Sequence, residues 1–107
     1  SELSLGDNEK MQFGNLPDME IYHSGTQNII DLNNGSLKVN GDMVFKVYTD
    51  DVSNPPTDAE LDAIFGTPAT VGAGFTAYIN DNGGGTNFYH VTTDGTSWFY
   101  TLMAKAV

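Results

Sequence analysis

Turn residues punctuate this chain so closely that almost no stretch is free to form a long helix. Asn15-Leu16-Pro17-Asp18, Ser24-Gly25, Asn33-Asn34-Gly35, Asn40-Gly41 and Thr93-Asp94-Gly95 break it at short intervals over 107 residues. Pro17 fixes φ, and the Asn and Gly positions accept positive φ, so each cluster favours a reversal. What lies between them has the length and alternation of β-strands. Composition agrees: charged residues make up 17% and there are 12 glycines. Asn, Thr, Ser and Gly fill places that a helical domain gives to Glu, Lys and Leu.

The first part, residues 1–41, reads as short strands and turns. Lys10 to Phe13 is a strand ending at Gly14, Met19 to His23 alternates, and Asn28 to Leu32 follows. Asn33-Asn34-Gly35 is a hairpin signal that predicts a return strand over Ser36 to Val39. The apolar residues of this part are sparse. Such a segment needs identical neighbours to cover its apolar face, and three copies wound around an axis would do so. The expectation is a trimerising β segment.

The second part, residues 42–107, carries the aromatic mass. Met43 to Thr49 has apolar residues on both faces, which predicts a strand covered on both sides. Thr57-Asp58-Ala59-Glu60 is a capping box, with Thr57 as N-cap and Glu60 at N3. Leu61, Ile64 and Phe65 form one stripe, Gly66 ends it and Pro68 blocks continuation. The spacing predicts one short helix over 57–65. Phe75 to Asn80, Thr86 to Thr92 and Ser97 to Ala104 predict an antiparallel meander, so the expected fold is mainly β with one helix.

The charge bounds the partners. Fourteen acidic against four basic residues give −10, which disfavours nucleic acid and anionic membrane surfaces. No apolar run approaches the ~20 residues of a membrane-spanning helix. The absence of cysteine excludes disulfides and thiolate chemistry. Asp31-Leu32-Asn33-Asn34-Gly35 lacks the distal glutamate that completes a calcium loop, and Gly83-Gly84-Gly85 has no helix after it to bind phosphate. His90, Asp94 and Ser97 contain the residue types of a hydrolytic triad but no nucleophile elbow. The expectation is a protein without catalytic residues or cofactor. Two sites are expected instead. One is a receptor surface on the loops Asp81 to Gly85 and Thr93 to Ser97, built from Asp81, Asn82, Tyr89, Asp94 and Trp98, with Tyr100 nearby. Flat aromatic faces beside Asn, Asp and Thr suit a host surface glycan, and the competing reading, favoured for Trp98, is that these aromatics fill the knob or the trimer interface. The other is an alternative only, since a packed or surface histidine is the commoner case: a metal held by three copies of His23 on a threefold axis.

Residues Gly6 to Gly14 (GDNEKMQFG), Leu16 to Gly25 (LPDMEIYHSG) and Asn28 to Val39 (NIIDLNNGSLKV) resemble a pattern found in many bacteriophage fibre and other virion-associated proteins. The pattern is an acidic turn, a short strand to Phe-Gly, and Asp-x-x-Ile-Tyr-His-x-Gly. Asp18, Ile21, Tyr22, His23 and Gly25 match it, while Ser24 stands where relatives often have Asp. The later marks Pro56 to Leu61 and Gly95 to Tyr100 are similar to the ends of other phage-like structural proteins. The resemblance implies a homotrimeric fibre part at the virion surface, touching other virion proteins and the host. Two other roles stay open, a capsid or tail decoration protein and a carbohydrate-active domain.

Overall fold

A computed structural model describes residues 1–83 and 86–107. The chain is mainly β and divides into two compact units, Ser1–Asp42 and Met43–Val107.

The first unit is a three-stranded antiparallel sheet of β1 (Met11–Phe13), β2 (Met19–His23) and β3 (Asn28–Leu32), in that order. Gly14 opens the first reversal at φ +104°, and a side chain there would collide with the Asp18 carboxylate. Ser24 shapes the second: its amide donates to the Gln27 carbonyl at 2.9 Å, and its hydroxyl accepts the Gln27 amide at 3.1 Å. In the register Met11 faces Ile21 and Ile21 faces Ile30, while Phe13 faces Met19 and Met19 faces Leu32. Alternation therefore puts Met11, Phe13, Met19, Ile21, Ile30 and Leu32 on one face. Gln12, Glu20, Tyr22, Ile29 and Asp31 take the other.

The hairpin expected at Asn33-Asn34-Gly35 does not form. The Asn33 and Asn34 amides donate to the Asp18 carbonyl at 2.8 and 3.2 Å, and the Asn33 side chain donates to the Pro17 carbonyl at 2.7 Å. These residues close the end of the sheet against the β1–β2 turn. Ser36 to Val39 is left outside any strand.

The second unit is a four-stranded sheet with two short helices: β4 (Val47–Asp50), α1 (Asp58–Phe65), α2 (Pro68–Val71), β5 (Thr76–Asp81), β6 (Phe88–Thr93) and β7 (Trp98–Leu102). The order is β4-β5-β6-β7, with β5, β6 and β7 forming the antiparallel meander. β4 joins it in parallel, and the segment carrying α1 and α2 is the crossover that a parallel pair requires. The strand expected over Met43 to Thr49 is confined to its end. Val47 already pairs with Tyr78, and β5 starts at Thr76, so no strand remains for Met43 and Val44 to pair along. Met43, Val44, Phe45 and Val47 are exposed, which overturns the expectation that both faces of this stretch are covered within the chain.

α1 starts as its capping box dictates. The Thr57 hydroxyl accepts the Glu60 amide at 3.2 Å, and the Glu60 carboxylate accepts the Thr57 amide at 2.9 Å. The other Glu60 oxygen accepts the Ser53 amide, also at 2.9 Å, and so binds the incoming chain to the helix. Pro68, which stops α1, becomes the first residue of α2, where its missing N–H costs nothing. Leu61 is buried against Ala77, Ile79, Tyr89 and Val91 of the sheet, with Val52 and Trp98 at the margin. Phe65 touches three rings, those of Tyr48, Phe75 and Trp98, at centroid distances of 4.8, 5.4 and 5.7 Å. The Trp98 indole donates to the Asp62 carboxylate at 2.8 Å, tying β7 to α1.

Candidate recognition site

Strand parity decides which side chains of the second unit can meet a ligand. The helices cover the face that carries Ala77, Ile79, Tyr89, Val91 and Trp98. Tyr89 and Trp98, expected in a receptor surface, are therefore core residues. Burial holds the Tyr89 phenol above its usual pKa. Asp81 is buried as well. Its carboxylate accepts the Gly83 amide at 3.0 Å and the Val52 amide at 3.4 Å, joining the β5 exit to the β4–α1 connection. These three side chains offer no surface to a partner, because each is less than a tenth exposed.

Asn82 and Asp94 stay exposed. Asn82 anchors its backbone by donating to the Asp50 carbonyl at 2.9 Å, which leaves its side chain outside the sheet. Asp94 holds its own turn closed, since one carboxylate oxygen accepts the Thr96 amide at 2.9 Å and the Ser97 amide at 2.8 Å. Those two bonds depress its pKa. The expected loop Asp81 to Gly85 lies in part outside the described residues, at Gly84 and Gly85.

The face turned away from the helices is not among the sites expected from sequence. It carries Tyr78 on β5 beside Phe88 and His90 on β6, with ring centroids 5.6 and 5.1 Å from that of Tyr78, and Phe45 at 6.4 Å. The Tyr78 and Phe88 rings are within 13° of parallel. His90 Nε2 is bonded to the Thr76 hydroxyl. At one end of this face Thr86, Phe88, Met103, Ala104 and Lys105 line an open cleft of about 420 Å³. Its chemistry is aromatic and apolar with one cation at the rim. On β5 the signal that could have found it is the difference between the two faces, with small and aliphatic Ala77 and Ile79 alternating with Thr76, Tyr78 and Asn80, while on β6 the buried Tyr89 hides it.

The first unit contains a contrasting site. Glu20 is its one buried residue, on the face opposite the apolar row. Its carboxylate accepts from Gln12 Nε2 at 2.8 Å and Asn33 Nδ2 at 3.2 Å, and Lys10 Nζ stands 3.4 Å away. The Gln12 and Asn33 bonds, then the lysine charge, hold its pKa below the usual carboxylate range. His23 is half-buried, with Nδ1 2.9 Å from the Asn28 side-chain oxygen and Nε2 4.0 Å from the Asp7 carboxylate. Among the described residues no three His, Cys, Asp or Glu side chains are grouped to hold a metal within one chain. His90, Asp94 and Ser97 do not combine: His90 bonds Thr76, the Asp94 carboxylate takes backbone amides, and the Ser97 carbonyl accepts from Thr93. No helix among the described residues is long and apolar enough to cross a membrane.

No protein-family model, curated protein or solved structure matches the chain.

Proposed function

We propose that this chain is a structural module of a bacteriophage virion fibre, without catalytic activity, that assembles as a homotrimer through the sheet of its first unit. One observation carries the assembly. That unit buries no large apolar side chain, yet it aligns Met11, Phe13, Ile21 and Ile30 in solvent on one face. A three-stranded sheet needs its hydrophobic face covered to be stable. No strand residue on that face is acidic, since Glu20 and Asp31 point the other way. In a chain of net charge −10, it is a place where like copies meet without acid facing acid.

Area favours more than two copies. Four half-exposed side chains give at most about 500 Å² per copy, since even a fully buried aromatic contributes only ~150–250 Å². A stable two-chain interface takes about 800 Å² from each partner. Three copies closed around an axis add contacts along both free edges of the sheet to those of its face. The fibre assignment itself rests on the resemblance of residues 6–39 to virion proteins, and a particle-surface location follows from it.

Host attachment belongs to the same reading, with its surface moved from the buried residues to the open aromatic face of the second unit. Tyr78, Phe88 and His90 offer rings, and Thr76, Asn80 and Asn82 offer hydrogen-bonding groups, the mix that a glycan's CH faces and hydroxyls require. The purified protein is expected to adsorb to host cells and block infection, and Tyr78→Ala with Phe88→Ala to abolish both while leaving the fold intact. Binding only to virions that lack the protein would instead assign it a decoration role.

A further inference from the structure

The outer edge of the second sheet is open. β7 is the last strand in the order, and its far side pairs with nothing among the described residues. Its backbone directions follow from the ladder. The Met103 amide donates to the Phe88 carbonyl at 2.9 Å, so Phe88 and Met103 are a hydrogen-bonded pair. Alternation makes His90 with Thr101 and Thr92 with Phe99 the next such pairs. The other side of β6 agrees: the Thr93 amide donates to the Phe75 carbonyl at 3.3 Å, which assigns the odd residues of β6 to β5. Trp98, Tyr100 and Leu102 therefore aim their N–H and C=O groups outward.

Natural sheets guard such an edge with lysine, proline, a bulge or a covering segment. β7 has none of the first two: its sequence is Trp-Phe-Tyr-Thr-Leu. It is also apolar on both sides and wet on both, with Phe99 52%, Tyr100 48% and Leu102 45% exposed. The opposite edge, β4, ends in Asp50 and follows Lys46, and so is guarded.

We propose that β7 pairs with β7 of a second copy, antiparallel across a twofold axis at Tyr100, making one continuous eight-stranded sheet. The register is self-complementary. With Tyr100 opposite its own copy, Trp98 falls opposite Leu102 and all three outward residues exchange bonds, about six in total. Sliding by one pair in either direction leaves an outward group without a partner. The side chains match too, since Trp98 and Leu102 meet on one face and Phe99 and Thr101 on the other. Charge selects a copy of this chain as the occupant: residues 95–107 contain no acidic side chain and one lysine, in a protein of net charge −10. This contact is independent of the one proposed for the first unit.

Two variants test it in the full chain. Tyr100→Lys places a guarding charge on the edge, and the native mass of the assembly should halve with the far-UV spectrum unchanged. Because the protein has no cysteine, Tyr100→Cys gives a clean cross-link. The facing Cα atoms of a hydrogen-bonded antiparallel pair lie about 5.5 Å apart, within disulfide reach. Mild oxidation should convert Tyr100→Cys to a covalent dimer and leave Thr101→Cys largely unlinked, its two copies being about 7–8 Å apart on the diagonal. A native mass unaffected by Tyr100→Lys, or equal cross-linking of Tyr100→Cys and Thr101→Cys, would overturn the pairing. If six chains become three, both contacts stand. If two become one, the edge pairing stands and the trimer does not.

Discussion

Asp94 and Glu20 show how a carboxylate can be structural while looking like solvated charge. Each accepts hydrogen bonds that exist only in the folded chain, and each is held below its ordinary pKa. Glu60, at the start of α1, is held down by the Thr57 amide in the same way. The sign is that of a depressed acid: the stabilisation is complete above the unfolded-state pKa, near pH 4, and is lost as pH falls through the lower folded values. Acid titration followed by intrinsic fluorescence should therefore show loss of structure below about pH 4. Glu20→Gln should lower stability at pH 7 and narrow the difference between pH 7 and pH 3. Asp94→Ala should lower the urea midpoint by more than Asn82→Ala does, because only Asp94 uses its side chain to hold two amides. Equal midpoints for the two variants would mean that the Asp94 turn holds without its carboxylate. The bond of Glu60 is legible in its capping-box spacing, but those of Asp94 and Glu20 are not legible from residue type. Asp94 in a Thr-Asp-Gly turn reads as exposed, and it is, but the two amides it accepts depend on how the turn closes.

At the scale of elements, legibility follows locality. α1 is readable because its start, stop and apolar stripe are all within ten consecutive residues, and the capping box forms as the sequence implies. The meander strands are readable because turn residues separate them. Val47–Asp50 is shorter than its apolar pattern implies and runs parallel to its partner, a pairing that depends on a strand some thirty residues away. Ser36 to Val39 has strand-like alternation, but the asparagines before it bond back to Pro17 and Asp18. Asp81, Tyr89 and Trp98 of the expected receptor set end in the interior for the same cause, while Asn82 and Asp94 stay exposed. Tyr89 and Tyr78 are alike in type, and only the helix position decides that one is core and the other surface. The energetics of α1 rank by what each residue touches. Thr57→Ala removes a cap and should cost about 1 kcal/mol. Phe65→Ala removes contacts to three rings and should cost about 3 kcal/mol, and Leu61→Ala a similar amount. Urea unfolding at pH 7 should give this order. A Phe65→Ala loss no larger than that of Thr57→Ala would remove Phe65 from the centre of the packing.

The whole molecule joins a unit with a core to a unit without one. Residues 43–107 gather Leu61, Ile79, Tyr89 and Val91 into an interior, while the sheet of residues 1–42 has its apolar row in water. The sparse apolar content of residues 1–41 foreshadows this difference, although the row itself needs the register that aligns Met11, Ile21 and Ile30. We propose that copies of the same chain complete it, and the proposed fibre role depends on that completion. Native mass spectrometry of the full chain, beside an Ile21→Glu, Ile30→Glu variant, tests it most directly. The substitutions put charge at the middle of the row without touching the core of residues 43–107. The account predicts a wild-type assembly whose chain number is a multiple of three, and loss of that multiple in the variant. A wild-type protein that runs as one chain at micromolar concentration, or a variant that keeps the wild-type chain number, would contradict it.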